Sequence, residues 1–407
     1  MSQQGPILVI STAQRPSFAE ALDVDKVFPV IATEWTDAAR AVDQVQPAAV
    51  VADCSEIDAA GFAALATRVA ARRPYLPLIA IDPKLALPGN AIPFLQIQGH
   101  SGRLIARLRA ALRVRALHAT VMRRQAPAAS IAMSNFDIAR EATVLLIGRG
   151  GAYPTLSVTL GERTGVVGAL SIEAAANHLN VRDIDGIVLG EGFSPRVVDA
   201  FLTVLAEDAR FRRLPVVVTS DLAPSYELAN LEIVSGDAAQ VTAAALPLIR
   251  QHAFETHLSR TLKSIDADGL IDAQTGLLTP GAFERDFASA VYQTQQRGGG
   301  LSVARFAFDP AHPRAQIDGA RIISRLMRQM DFGAAQDDGS VVVAFAETDL
   351  KTAHSIARRL SSVMRHTSHG SRDSRAEPVV TVATLLPNDS AKSLLSRLDH
   401  ETQRAAS

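Results

Sequence analysis

The sequence predicts an α/β protein of several domains, and three observations carry that prediction. Its 407 residues exceed one ordinary domain, and at about 150 residues per domain two or three are expected. Hydrophobic residues make up 47% and charged residues 20%, enough apolar material for real cores. Short, continuously apolar, β-branched runs alternate with Ala-, Leu- and Arg-rich stretches of helical length, the pattern of parallel sheets covered on both faces.

In the first unit, residues 1–124, the strands read Ile7–Ile10, Ala49–Asp53, Leu78–Ile81 and Phe94–Ile97, with helices over 37–44 and 60–73. In the second, residues 140–252, they read Thr143–Ile147, Ile187–Leu189, Val216–Val218 and Glu232–Val234. A helix over 101–124 joins the two, and Gln125-Ala126-Pro127 interrupts it. A second long helix, 239–265, carries Phe254, Leu258, Leu262 and Ile265 at intervals of four, four and three, one apolar stripe. Packing on the domain's own sheet and a dimerising stalk both suit that stripe. The third unit, residues 266–407, carries strands over 301–308, 341–345 and 379–386 and helices over 317–330 and 353–364.

Composition narrows the function classes. A net charge of −1 gives no field that would draw the whole molecule to nucleic acid or an anionic membrane. The single cysteine, Cys54, fits a reducing compartment. No apolar run reaches the roughly 18 residues of a membrane span, and no signal peptide is visible at Met1–Pro6, so a soluble cytoplasmic protein is expected. Arg103, Arg107, Arg109, Arg113, Arg115, Arg123 and Arg124 cluster on the joining helix. Leu104, Leu108, Leu112 and Leu117 on that helix need burial, and no aromatic residues interleave for base stacking. A linking helix is therefore expected, with neither nucleic acid nor membrane as partner.

Two motifs in the third unit stand at set spacings, the second of them a weak signal but for its offset to the loop that follows. Asp272, Thr275, Gly276, Leu277 and Phe283 match the opening pattern D-x-L-T-G-L-x-N-R-R-x-F, and Arg328-x-x-Asp331 is followed after five residues by Asp337-Asp338-Gly339-Ser340-Val341. At these spacings the unit resembles a GGDEF domain, the module that condenses two GTP into cyclic di-GMP. The resemblance covers residues 266–403 and implies an α+β fold with a central antiparallel sheet. The two preceding units resemble receiver domains, which have a flavodoxin-like parallel sheet. Receiver, receiver, GGDEF is the order of PleD-type cyclases and of degenerate PopA-type effectors.

The resemblance also implies what has been lost. Receivers accept a phosphoryl group on an aspartate at the end of the third strand, here Asp53, with Mg²⁺ held by an acidic pair. Ser11 and Thr12 stand at the pair, Ile81 or Asp82 at the switch hydroxyl, and Gln96-Ile97-Gln98 lacks the lysine. Asp53 thus reads more readily as a carboxylate capping the strand end than as a phosphoacceptor. In the second unit Gly148 and Arg149 replace the acidic pair, Gly190 with Glu191 beside it replaces the acceptor, and Thr219 remains. Gly148-Arg149-Gly150-Gly151 lacks the spacing of a phosphate loop and reads as a plain turn. This unit is expected to be an adaptor or dimerisation surface.

In the GGDEF-like unit, if Asp309 matches the second acid of the strand, the metal carboxylates implied by the resemblance fall at Ala307 and Gly339, with Ser340 at the next signature position. Thr279 stands for the guanine-reading Asn, and Pro310-Ala311-His312-Pro313-Arg314 for FK-x-x-ND. No catalytic residue, metal or cofactor is expected, and Asp337 to Val341 form a degenerate loop. Product binding needs other physics: an Arg fork pairs with phosphate or a guanine edge, and a carboxylate accepts from guanine N–H groups. The implied cyclic di-GMP ligands are Arg328 and Asp331, expected on one side of a helix end, with Arg359 on the following helix. A surface salt bridge is the plainer reading of the same pair. The expected function is an inactive, homodimeric cyclic di-GMP effector acting on a protein partner. The rivals are a nucleotide-independent scaffold and a residual cyclase using Asp337 or Asp338.

Overall fold

The computed structural model describes residues 5–13, 16, 18–19, 22, 28–55, 57, 59–84, 86–96, 101–125, 141–219, 228–309, 312–364 and 378–406. Ile97, Gln98, Ala126, Pro127, Pro310 and Ala311, each part of a pattern above, lie outside the described residues.

Residues 7–10, apolar and fully buried, form β1 (Ile7–Ile10). It pairs in parallel with β2 (Val30–Thr33) and β3 (Ala49–Asp53). With β4 (Leu78–Ile81) and β5 (Ala91–Phe94) these strands make a sheet in the order β2-β1-β3-β4-β5. Helices α1 (Ala38–Val45), α2 (Ala59–Ala70) and α3 (Ser101–Arg124) accompany it. Two core clusters lie on the sheet, one holding Leu8, Ile10, Val50 and Phe62, the other Ile7, Val9, Leu104 and Leu108. The prediction of strands buried on both faces holds.

The second sheet is built from β6 (Thr143–Ile147), β7 (Gly165–Ala169), β8 (Gly186–Leu189), β9 (Val216–Val218) and β10 (Leu231–Ile233) in the order β10-β9-β8-β6-β7. The pairs β10–β9, β9–β8 and β8–β6 run parallel. Its helices are α4 (Tyr153–Gly161), α5 (Ile172–Val181), α6 (Pro195–Glu207) and α7 (Ala238–Asp266).

The third sheet is antiparallel, as the resemblance implied. It joins β11 (Leu301–Ala307), β12 (Phe332–Ala335), β13 (Ser340–Ala346) and β14 (Val379–Thr384) in the order β12-β13-β11-β14. Helices α8 (Pro280–Arg297), α9 (Pro313–Leu326), α10 (Leu350–Met364) and α11 (Ala391–Ala406) complete it.

By contact density the chain divides into two compact units. One holds Met1–Arg163, Ala169–Ile172 and Ile184–Leu258, the other Thr164–Gly168, Glu173–Asp183 and Ser259–Ser407. Within the first unit Arg103, Arg107, Arg113 and Arg115 of α3 have internal partners. Arg107 is 1% exposed, its Nη2 donates to Glu232 Oε1 at 2.8 Å, and its Nη1 donates to the Pro93 carbonyl at 3.0 Å. Arg113 pairs with Glu255 through two donors, and Arg115 donates to the Tyr75 carbonyl. Phe254 meets Tyr75 and His118 edge-on, with ring centroids 5.8 and 5.4 Å away. Phe254 and Leu258 of the apolar stripe are thus buried within this unit, whereas Leu262 and Ile265 are half-buried.

Three expectations are corrected. The strand placed at Phe94–Ile97 is β5, Ala91–Phe94, because a turn at Pro88 to Ala91 starts it early. Pro93 is tolerated there since β5 is an edge strand. Strands β2 and β7 add to the predicted set. In β2 the apolar run Val30-Ile31-Ala32 is short and follows Pro29 directly, and β7 holds only Val166-Val167 between glycines. The helix placed over 317–330 is α9, Pro313–Leu326. Pro313, with φ preset for a first turn, starts it four residues earlier, and Met327 at ψ 149° ends it. Among the described residues no helix is long and apolar enough to cross a membrane.

Candidate functional site

The opening motif of the third unit builds a turn. Asp272 Oδ1 accepts from the Thr275 N–H at 2.7 Å and the Thr275 hydroxyl at 2.6 Å, and the Asp272 N–H donates to the Leu277 carbonyl at 2.8 Å. Gly276 has φ +77°, a left-handed conformation that a side chain resists. Leu277 is buried in one core cluster, and Phe283 stacks on Phe287 at 5.5 Å in the other. The Leu278 N–H donates to Gly333 of β12 at 2.9 Å. Thr279, the base-reading position, has both its N–H and its hydroxyl on the Leu270 carbonyl.

From that platform the chain reaches Arg328 and Asp331. Because α9 stops at Leu326, the pair occupies a turn rather than a helix end, and the Asp331 N–H donates to the Arg328 carbonyl at 3.0 Å. The expected helical spacing is replaced by the closure of this turn. Arg328 is exposed, whereas Asp331 is only 7% exposed and accepts from the Ala346 N–H at 3.2 Å. Burial pushes the Asp331 carboxyl above its ordinary range, against the pull of that N–H and of the Arg328 charge. Arg359 lies on the exposed face of α10, a helix that packs beside α9. The turn thus brings together an exposed guanidinium and a mostly buried carboxylate.

The degenerate loop forms the hairpin between β12 and β13. The Gln336 N–H donates to the Ser340 carbonyl at 2.8 Å, and Gly339 takes φ +84°. A residue at positive φ closes such loops, so this position favours glycine over an acid. Asp338 Oδ1 accepts from the Ser340 N–H and hydroxyl, while its Oδ2 accepts from Arg305 Nη1 of β11 at 2.9 Å. Burial pushes the Asp338 carboxyl up, but the Ser340 hydrogen bonds and the Arg305 charge outweigh it and hold the group below its usual range. Asp337 is exposed at the tip. Val341 and Ser340 are buried at the start of β13. Among the described residues no cluster of three or more His, Cys, Asp or Glu could hold a metal ion.

Sequence reasoning did not single out Arg305 and Gln316, both of which hold this loop. Gln316 Nε2 donates to the Gln336 and Ser340 carbonyls at 3.0 and 3.2 Å. The available signal was Arg305 itself, a charge inside an otherwise uncharged strand.

In the first unit, Asp53 Oδ2 accepts from the Ser11 hydroxyl at 2.9 Å, and Oδ1 accepts from the Ser55 N–H and hydroxyl. Asp82 accepts from the Gln96 N–H and side-chain amide. Around the second sheet the Gly190 N–H donates to Ile147, and the Thr219 hydroxyl lies 3.4 Å from the Leu189 carbonyl.

No family model and no curated protein matches the chain. Solved structures that match part of it include GGDEF domains. The coiled coil and GGDEF domain of DgcB from Caulobacter crescentus, in complex with c-di-GMP, matches at TM-score 0.30 and 17% identity, over 37% of this chain and 86% of that one. The FimX GGDEF domain from Pseudomonas aeruginosa gives TM-score 0.31 and 17% identity, over 34% and 93%. The diguanylate cyclase SiaD from Pseudomonas aeruginosa, in complex with its activator SiaC, gives 0.31 and 13%, over 36% and 64%.

Proposed function

We propose that this protein is a catalytically inactive GGDEF-type effector that binds cyclic di-GMP at Arg328, Asp331 and Arg359 and relays the binding to a protein partner. The observation that carries the reading is the Arg328–Asp331 turn, which offers an exposed guanidinium beside a carboxylate set in a defined direction. A guanidinium can take a phosphate or a guanine edge bidentately, and a carboxylate can accept from guanine donors, with no metal needed. The inactive half of the reading is supported by the hairpin. Asp338 already serves Ser340 and Arg305, Gly339 has no side chain to act as a ligand, and Ala307 on β11 offers only a methyl group. Relay requires a ligand that binds two conformations with different affinity.

In this reading the protein is a cytoplasmic homodimer of receiver-like, receiver-like and GGDEF-like parts. A second copy would pack on the half-buried end of the α7 stripe, Leu262 and Ile265.

Calorimetric titration of cyclic di-GMP into wild type and Arg328→Ala tests the binding. Micromolar or tighter binding that is lost in the variant is expected. Absence of heat in both proteins would overturn the reading. One observation favours a nucleotide-independent scaffold instead: Asp331 is largely buried and already accepts from Ala346, which is a structural role. In that case partner binding would be unaffected by Arg328→Ala and by the nucleotide.

A further inference from the structure

Arg305 is the one charged residue of β11, and it stands opposite Val342 on one side and Thr381 on the other. Its side chain is 16% exposed, so its charge has lost much of its water and requires a counter-charge nearby. Asp338 supplies it across 2.9 Å. The other carboxylate oxygen is held by the two Ser340 donors, so both oxygens of Asp338 are engaged. From α9, Gln316 holds the carbonyls at the two ends of the loop. The loop between Gln336 and Ser340 is therefore closed by groups from β11 and α9.

We propose that Arg305 is a built-in cation of this hairpin: it occupies the charge position that a divalent ion would need at Asp338, and the hairpin consequently binds no divalent metal. A hard divalent ion takes several oxygen ligands at about 2.0–2.6 Å and needs negative charge to offset its own. At Asp338 such an ion would meet a guanidinium instead of a second carboxylate. It would also have to break the Ser340 bonds or part Asp338 from Arg305. The converse is that replacing the fixed cation with a carboxylate creates a cation site. In Arg305→Glu two acids would face each other across the loop, with a shorter side chain leaving room for an ion between them. Arg305, Asp338 and Gln316 carry this role independently of any cyclic di-GMP binding, and no nucleotide enters the experiment.

The test is hydrogen exchange of the hairpin amides, residues 332–341, in the full-length protein, with EDTA or with millimolar Mn²⁺. Amides of α10, in the same unit but outside the hairpin, report whether each variant is folded. In wild type, hairpin exchange is expected to be the same with and without Mn²⁺. In Arg305→Met and in Asp338→Asn it is expected to accelerate by about tenfold, as local opening becomes easier. In Arg305→Glu it accelerates in EDTA and slows again with Mn²⁺, and adding Asp338→Asn abolishes the slowing. Protection of the wild-type hairpin by Mn²⁺ would overturn the proposal. So would Arg305→Met and Asp338→Asn hairpins that exchange like wild type, or an Arg305→Glu hairpin indifferent to Mn²⁺. Asp338→Asn changes only an exposed partner, so it tests the latch even if the Arg305 variants fail to fold.

Discussion

Asp331 and Asp338 are acids at either end of β12, and their surroundings drive them in opposite directions. Burial raises the Asp331 carboxyl, so its titration favours the folded state below the ordinary aspartate range and that benefit is lost as pH rises through its folded value. The Asp338 carboxyl is held low, so its benefit is present above the ordinary value and is lost as pH falls through its folded value. Asp338→Asn should therefore lower Tm at neutral pH, and the two proteins should converge below about pH 4. Thermal melts across pH 3 to 7, on the order of one per pH unit, would check this. Asp331→Asn retains an oxygen for the Ala346 N–H and removes a buried charge, so stability should change by no more than about 1 kcal/mol. If Asp331 contacts ligand, the same variant should weaken cyclic di-GMP binding on the order of 10-fold to 100-fold by calorimetry. Weak binding with unchanged stability would separate a ligand role from a structural one.

Helix α3 shows why a basic stretch need not face a polyanion. Its arginines alternate with leucines, and in the fold Arg107 is as buried as Leu104 and Leu108. Glu232 and backbone carbonyls, those of Ala229 and Pro93 among them, take up the Arg107 donors. Arg107→Ala would leave the Glu232 carboxylate buried without that partner. It should cost about 3–5 kcal/mol in chemical denaturation, and the double replacement Arg107→Met with Glu232→Met should cost much less. The apolar stripe of α7 behaves likewise: Phe254 lies against Tyr75 and His118, and Phe254→Ala should cost about 3–5 kcal/mol.

Across the whole molecule, the proposed function predicts no GTP turnover with Mg²⁺ or Mn²⁺, measured by product chromatography; turnover would revive the residual cyclase. The central strands were legible because each is a continuous apolar run, as Ile7–Ile10 and Thr143–Ile147 show. The edge strand β2 was not, because its apolar run is only Val30-Ile31-Ala32 and Pro29 directly precedes it. The motif Asp272, Thr275, Gly276, Leu277 and Phe283 signalled the antiparallel unit since each residue has a local role. Asp272 and Thr275 are turn acceptor and donor, Gly276 takes the positive φ, and Leu277 and Phe283 anchor the core. By itself, then, the sequence determined the sheet classes, most of the helices and the residues eligible for a site, all properties written in short-range pattern. Only the tertiary structure decided that Arg328 and Asp331 share a turn, that Asp331 is buried on Ala346, and that Arg305 holds Asp338. The last two depend on contacts between residues 15 and 33 positions apart, and burial and counter-charge at such separations are set by packing rather than by neighbours in the chain.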